Sequence, residues 1–135
     1  IGEWSGTTKW VMQGMEGEGP MTMKNEWEGQ FLKSATVTEA DGVKMTELSL
    51  LGWNAKTKKF DSWTFTNFGA TPRLEHGELE GDKLVMASEP WDVMGQKMEG
   101  RGTMTKKSAT EILFILEFKM DGKWVKAAEG TYRKK

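Results

Sequence analysis

Residues 1–10 read IGEWSGTTKW, with two tryptophans six positions apart. In an extended chain, successive side chains point to opposite faces. Trp4, Gly6, Thr8, Trp10 and Met12 therefore share one side, and Glu3, Ser5, Thr7 and Lys9 take the other. One side wants a dry interior and the other wants water. That is the pattern of a half-buried β-strand.

The same period of two recurs down the chain. Between Met21 and Glu28 the apolar side carries Met21, Met23 and Trp27 with Asn25 among them, against Thr22, Lys24, Glu26 and Glu28. Between Lys97 and Thr105, Met98, Gly100, Gly102 and Met104 face one way, and charged or hydroxylated residues face the other. Ile112, Phe114, Leu116, Phe118 and Met120 form the cleanest apolar stripe. No stretch of ten or more residues sustains an apolar stripe at helical period. Asp41-Gly42 and Asp121-Gly122 mark hairpins, because tight primed turns need residues that accept positive φ. Gly81-Asp82-Lys83 and Asn54-Ala55-Lys56-Thr57 are further turn candidates.

This pattern predicts about ten strands, at roughly 2–13, 20–28, 30–38, 43–53, 60–68, 72–80, 83–91, 96–105, 110–120 and 123–133. Two middle segments are apolar on both faces: Leu48, Leu50, Leu51 and Trp53, then Phe60, Trp63, Phe65 and Phe68. Their outer faces are expected to be covered by a neighbour or partner, unless a bulge re-aims them. So many strands must manage their edges, and closing the sheet on itself removes them. A sandwich would need longer crossing connections than these short links provide. The expected fold is all-β, one up-and-down antiparallel barrel forming a single domain over residues 1–135.

Composition excludes several functions. At 29% charged and 37% hydrophobic, the chain is neither a membrane protein nor a disordered tail. Its net charge is -1 and its lysines are interspersed with acids, so no basic stripe for nucleic acid exists; Arg133-Lys134-Lys135 is a short cluster. The run ILFIL, Ile112 to Leu116, is too short to span a bilayer. Without cysteine there is no disulfide, thiolate nucleophile or zinc-finger chemistry. The chain begins at Ile1 rather than Met, which admits a trimmed leader and leaves localisation open.

Gly2-Glu3-Trp4 on the first strand and Tyr132-Arg133 on the last resemble the pattern of calycins, the lipocalins and fatty-acid-binding proteins. The resemblance implies a first-strand Trp at the closed end, covered by a basic residue of the last strand, here Arg133. The match widens through Glu28-Gly29-Gln30-Phe31-Leu32 and Gly52-Trp53-Asn54-x-x-Thr57-Lys58-Lys59-Phe60. It continues through Glu78-x-x-Gly81-Asp82-x-Leu84, Met98-x-x-Arg101, Asp121-Gly122-Lys123 and Glu129-Gly130-x-Tyr132-Arg133. Together these are similar to a bacterial family of lipocalin-like proteins that is a domain of unknown function, with no established activity. Two departures matter. Only residues 13–19 stand where fatty-acid-binding proteins insert two helices, so no helical lid is expected. Haem-binding nitrobindin barrels use a histidine near the C-terminus, and Lys123 to Arg133 contains none.

His76 is the chain's one histidine. Alone it cannot build a His-rich zinc site, so it reads as a satisfied or exposed strand residue, with no metal or cofactor expected. In Glu89-Pro90-Trp91-Asp92 a carboxylate beside an indole suits a general acid, whereas the plainer reading is a loop in which Trp91 covers the barrel mouth. The glycine-rich stretches precede no helix and offer no phosphate cradle.

Seven tryptophans and ten methionines remain. Met adapts to irregular space and Trp offers a broad wall with one N–H to satisfy. Trp4, Trp10, Met12, Met21, Met23, Asn25, Trp27, Met98, Met104, Phe114 and Phe118 are expected to line an interior cavity, with room left by Gly6, Gly100 and Gly102. A barrel of this size either holds one small ligand or is plugged by its own side chains. The leading expectation is binding of an apolar or amphipathic small molecule, oriented by Asn25, Thr8 or Gln96. The alternatives are an enzyme using Glu89, Asp92 or His76 on a hydrophobic substrate, and a filled interaction domain whose outer aromatics offer a homodimer surface.

Overall fold

The computed structural model describes residues 1–135 apart from 13, 14, 41, 70 and 94, and only the backbone at 12 and 15. Ten strands, numbered in chain order, close into one antiparallel barrel. They are β1 (Gly2–Met12), β2 (Met15–Glu28), β3 (Phe31–Ala40), β4 (Val43–Asn54) and β5 (Lys59–Thr66), followed by β6 (Arg73–Glu80), β7 (Lys83–Ser88), β10 (Gly100–Lys106), β11 (Glu111–Met120) and β12 (Lys123–Lys134). Each pairs with the next, and β12 returns to β1 with Trp4 opposite Lys134 and Trp10 opposite Ala128. The remaining strands, β8 (Trp91–Val93) and β9 (Gln96–Met98), make a separate hairpin between β7 and β10. The turn expected at Asp121-Gly122 is present, with φ of 49° and 78°. Asp41 of the other dipeptide lies outside the described residues.

Two expected strands are broken. The segment near 83–91 ends at Ser88, because Pro90 has no N–H for a ladder. Glu89 instead donates its N–H to the Leu74 carbonyl at 2.8 Å. The segment near 96–105 is interrupted at Glu99, so Met98 stands opposite Trp91 in the hairpin rather than in the row of Gly100. A third difference is that β2 starts at Met15, through glycines that read as a loop. The Trp10 indole lies against Gly17 and the Glu39 carbonyl against Gly19, where any Cβ would collide. Glycine here serves close approach rather than a turn.

The register carries one inward row around the ring. Trp4 and Gly6 face Met23 and Met21. Met23 leads to Thr36, Thr36 to Glu47 and Glu47 to Thr66, while Thr64 stands opposite Arg73. Met86 pairs with Gly102, Gly102 with Leu116, and Phe114 with Gly130. The two halves of this row differ in chemistry. On the β1, β2 and β10–β12 side, buried Trp4, Met21, Met23 and Tyr132 pack with Met104, Ile112 and Phe114. On the β3–β6 side the inward residues include Ser34, Thr36, Glu47, Ser49, Ser62, Thr64, Arg73 and Glu75.

The barrel exposes more surface than its mass predicts. A compact 15.2 kDa protein is expected to expose about 7100 Å². This chain exposes 8622 Å². Outward Leu48, Trp63 and Phe65 contribute to this excess, and the inward Ile112, Phe114, Leu116 and Phe118 are all only half-buried.

The doubly apolar middle strands owe nothing to a bulge. β4 and β5 pair without a register break, and the irregularity lies at Leu116/Glu117, between β11 and β12. Leu48, Trp63 and Phe65 simply face outward and stay exposed.

Candidate ligand-binding site

β5 and β6 build the polar wall. In β5 the alternation KFDSWTFT turns Ser62 and Thr64 inward, both buried, and leaves Trp63 and Phe65 outside. In β6, Arg73 and Glu75 occupy the same inward side. The Arg73 Nη2 lies 3.5 Å from Glu47 Oε2 on β4, and its Nε lies 3.3 Å from Glu75 Oε1. The Thr64 hydroxyl donates to that same Glu75 oxygen at 3.3 Å. Arg73 keeps only 14% of its side-chain surface. Burial works against its charge, but the Glu75 and Glu47 carboxylates outweigh that and raise its pKa.

Trp91 closes this wall from above. It is buried at the root of the β8–β9 hairpin, with the Arg73 guanidinium 5.2 Å from its ring centre and Phe118 at 6.1 Å. The Arg73 Nε, though near Glu75, is not aligned to donate to it. The Trp91 Nε1 and Trp4 Nε1 are buried and equally unpartnered. Buried donors without acceptors are uncommon in proteins. Across the lumen, burial first and then the negative charge of Glu47 push the Tyr132 phenol well above its ordinary pKa, keeping its proton on.

The structure brings together much of the expected cavity set. Trp4, Met21 and Met23 are buried on the apolar wall, with Met104 and Phe114 packed against them. Trp10 is half-buried above Gly17, and Phe118 lies beside Trp91. Buried Thr8 meets the Met21 sulfur, and Asn25 accepts a hydrogen bond from Ser34 Oγ at 2.6 Å. Others stand apart. Trp27 is 64% exposed, at the end of β2. Met98 and Gln96 belong to the outlying hairpin. The Met12 side chain lies outside the described residues.

Two expectations need correction. Arg133 does not cover Trp4: it sits opposite Ser5, faces outward and pairs with Glu111 at 3.1 Å. Lys134, directly opposite Trp4, places its Nζ 6.0 Å from the indole instead. The acid–base candidates also lie away from the lumen. His76 alternates with Glu75 on β6 and faces outward, its Nδ1 2.7 Å from Asp61 Oδ1 and its Nε2 3.2 Å from Glu89 Oε2. Asp92 is exposed on the hairpin, on the opposite side from Trp91.

Arg73, Glu47, Glu75, Ser62, Thr64 and Tyr132 were missed as site residues. The signal lay in register: once the inward side of β1 is assigned, counting strand by strand through the turns turns Thr64 and Arg73 inward.

A family model described as "Protein of unknown function (DUF1579)" matches residues 1–134. Among solved structures, the protein in "Crystal Structure of Rv2717c from M. tuberculosis" superposes with a TM-score of 0.76 at 14% identity, covering 100% of this chain and 92% of that one. At that identity the likeness is one of fold. No curated protein matches the chain.

Proposed function

Because this chain belongs to the DUF1579 family of proteins of unknown function, we propose its role from the barrel itself: a lipocalin-like container that binds one small apolar or amphipathic molecule in its lumen. The observation that carries this reading is the accessibility of inward side chains: Ile112, Phe114, Leu116 and Phe118 are only half-buried in a closed barrel. On the opposite wall the inward Ser34, Thr36, Glu47, Ser49, Arg73 and Glu75 are likewise only partly buried. Half-buried Ile112, Phe114, Leu116 and Phe118 offer apolar surface to a guest, while the Arg73 wall offers polar anchors that fix its orientation. Lys134 over Trp4, a basic residue of the last strand above the first-strand indole, also supports the lipocalin-like reading.

Titration with 1-dodecanol should shift tryptophan emission saturably, because Trp4, Trp10 and Trp91 all face or cap the lumen. Gly102→Leu should abolish that response while leaving the fold intact. A Cβ at Gly102 meets only Phe114 Cε2 at 3.4 Å, so the larger side chain starts inward without a backbone clash. Destabilisation by about 1–3 kcal/mol, with no dodecanol response in the parent, would identify a plugged barrel instead.

A second reading rests on the outer face. Ala35, Val37, Leu48 and Phe65 line a shallow groove of about 420 Å³. A second copy of this chain against that face would appear as a dimer by sedimentation, lost in Phe65→Lys.

A further inference from the structure

We infer that the lumen selects a neutral, hydroxylated head group, such as that of a monoacylglycerol, over a carboxylate or ammonium on the same chain. This rests on the lumen-binding reading above and goes further by assigning the ligand's polar end. Between the rims, the inward rows of the described residues carry three charged side chains, Arg73, Glu47 and Glu75. One cation and two carboxylates leave this wall at -1.

The wall has unmet demands of two kinds. Arg73 Nε and Trp91 Nε1 are buried donors that need an acceptor oxygen. Glu47 and Glu75 have carboxylate oxygens that accept further hydrogen bonds, since each carboxylate offers about four lone-pair sites. A hydroxyl meets both demands because it donates and accepts at once. A fatty-acid carboxylate would satisfy the two donors, but it would take the wall from -1 to -2 within a partly desolvated space. There, like charges repel strongly. An ammonium would suit the charge but has no acceptor, so it leaves both buried donors unmet and adds a cation beside the Arg73 guanidinium. The polyol head avoids both penalties. Its acyl chain then lies along half-buried Phe114, Leu116 and Phe118 of β11.

Three twelve-carbon probes separate the outcomes: 1-monolaurin, laurate and dodecylamine, titrated at neutral pH below their micelle concentrations, with tryptophan emission as readout. Monolaurin is expected to bind at least tenfold more tightly than either ion. Glu47→Gln makes the wall neutral and should improve laurate relative to monolaurin at least fivefold. Thr64→Val leaves the charge unchanged and should not improve laurate, which guards against a purely structural effect at this wall. Circular dichroism verifies that each variant is folded. Laurate or dodecylamine binding as tightly as monolaurin overturns the head-group assignment and leaves the lumen reading standing. An unchanged laurate-to-monolaurin ratio in Glu47→Gln also overturns it. If none of the three binds, the lumen reading falls, and the head-group assignment with it.

Discussion

Gly19 and Gly102 both sit on inward rows, yet a methyl group means opposite things at the two positions. At Gly19 an added Cβ collides with the backbone carbonyl of Glu39, which is held in β3 opposite Lys44 of β4. At Gly102 the nearest neighbour is one ring carbon at 3.4 Å. Gly19→Ala should therefore cost on the order of 1–3 kcal/mol in urea denaturation, with Gly102→Ala close to neutral. The rim shows a similar contrast. Lys134→Ala removes a cation near the Trp4 indole and should cost about 0.5–1 kcal/mol. Arg133→Ala removes only an exposed pair with Glu111 and should cost under about 0.5 kcal/mol. The first-strand tryptophan was legible because its alternation is local. Which of two adjacent basic residues covers it was not, because that depends on the pairing phase of strands more than a hundred residues apart.

Among the elements, the β8–β9 hairpin is held at its root by a charged clip. Asn54 Nδ2 donates to Asp61 at 2.7 Å, Asp61 bonds His76, and His76 reaches Glu89, two residues before Trp91. Lys59 and Glu78, paired at 3.7 Å, are the charged neighbours on this face. The hydrogen bond to Asp61 is the main cause that raises the His76 pKa, with Glu89 adding and partial desolvation opposing. Its stabilising contribution is thus complete below the unfolded value near 6.5 and is lost as pH rises through the folded value. Asp61 is shifted the other way, by His76 and then Asn54, so its contribution holds above about 3.8 and is lost as pH falls through its folded value. The parent should melt above His76→Gln at pH 5.5, and the gap should close by pH 9; a gap independent of pH would remove the clip. The barrel strands could be read from period two and turn chemistry, but the hairpin could not. An alternation that continues through Lys97 to Thr105 does not reveal a break at Glu99, and Pro90 was a visible stop whose consequence lay in space rather than in sequence.

For the whole molecule, an unfolded chain of this mass exposes about 22,000 Å², so folding to 8622 Å² removes about 61%. That fraction suits a domain of about 60 residues rather than one of this length. A barrel with so modest a burial should gain much from the guest proposed above. At 100 times its dissociation constant, a ligand adds about 2.7 kcal/mol, which is roughly a 10 °C rise in melting temperature for a chain of this size. Differential scanning fluorimetry with monolaurin checks this. Closure was legible because ten strands with short links leave few other ways to hide their edges. The filling of the interior was not, because the same Trp and Met side chains either fill a barrel or line one. Closure also sets a timetable. β1 is made first but waits for β12, the last strand, before its outer edge is paired. At ordinary ribosomal rates that wait lasts roughly 6–26 s. During it, the nascent meander carries an unpaired edge alongside Trp4 and Trp10, which makes it a client for whatever shields exposed strands at the ribosome exit.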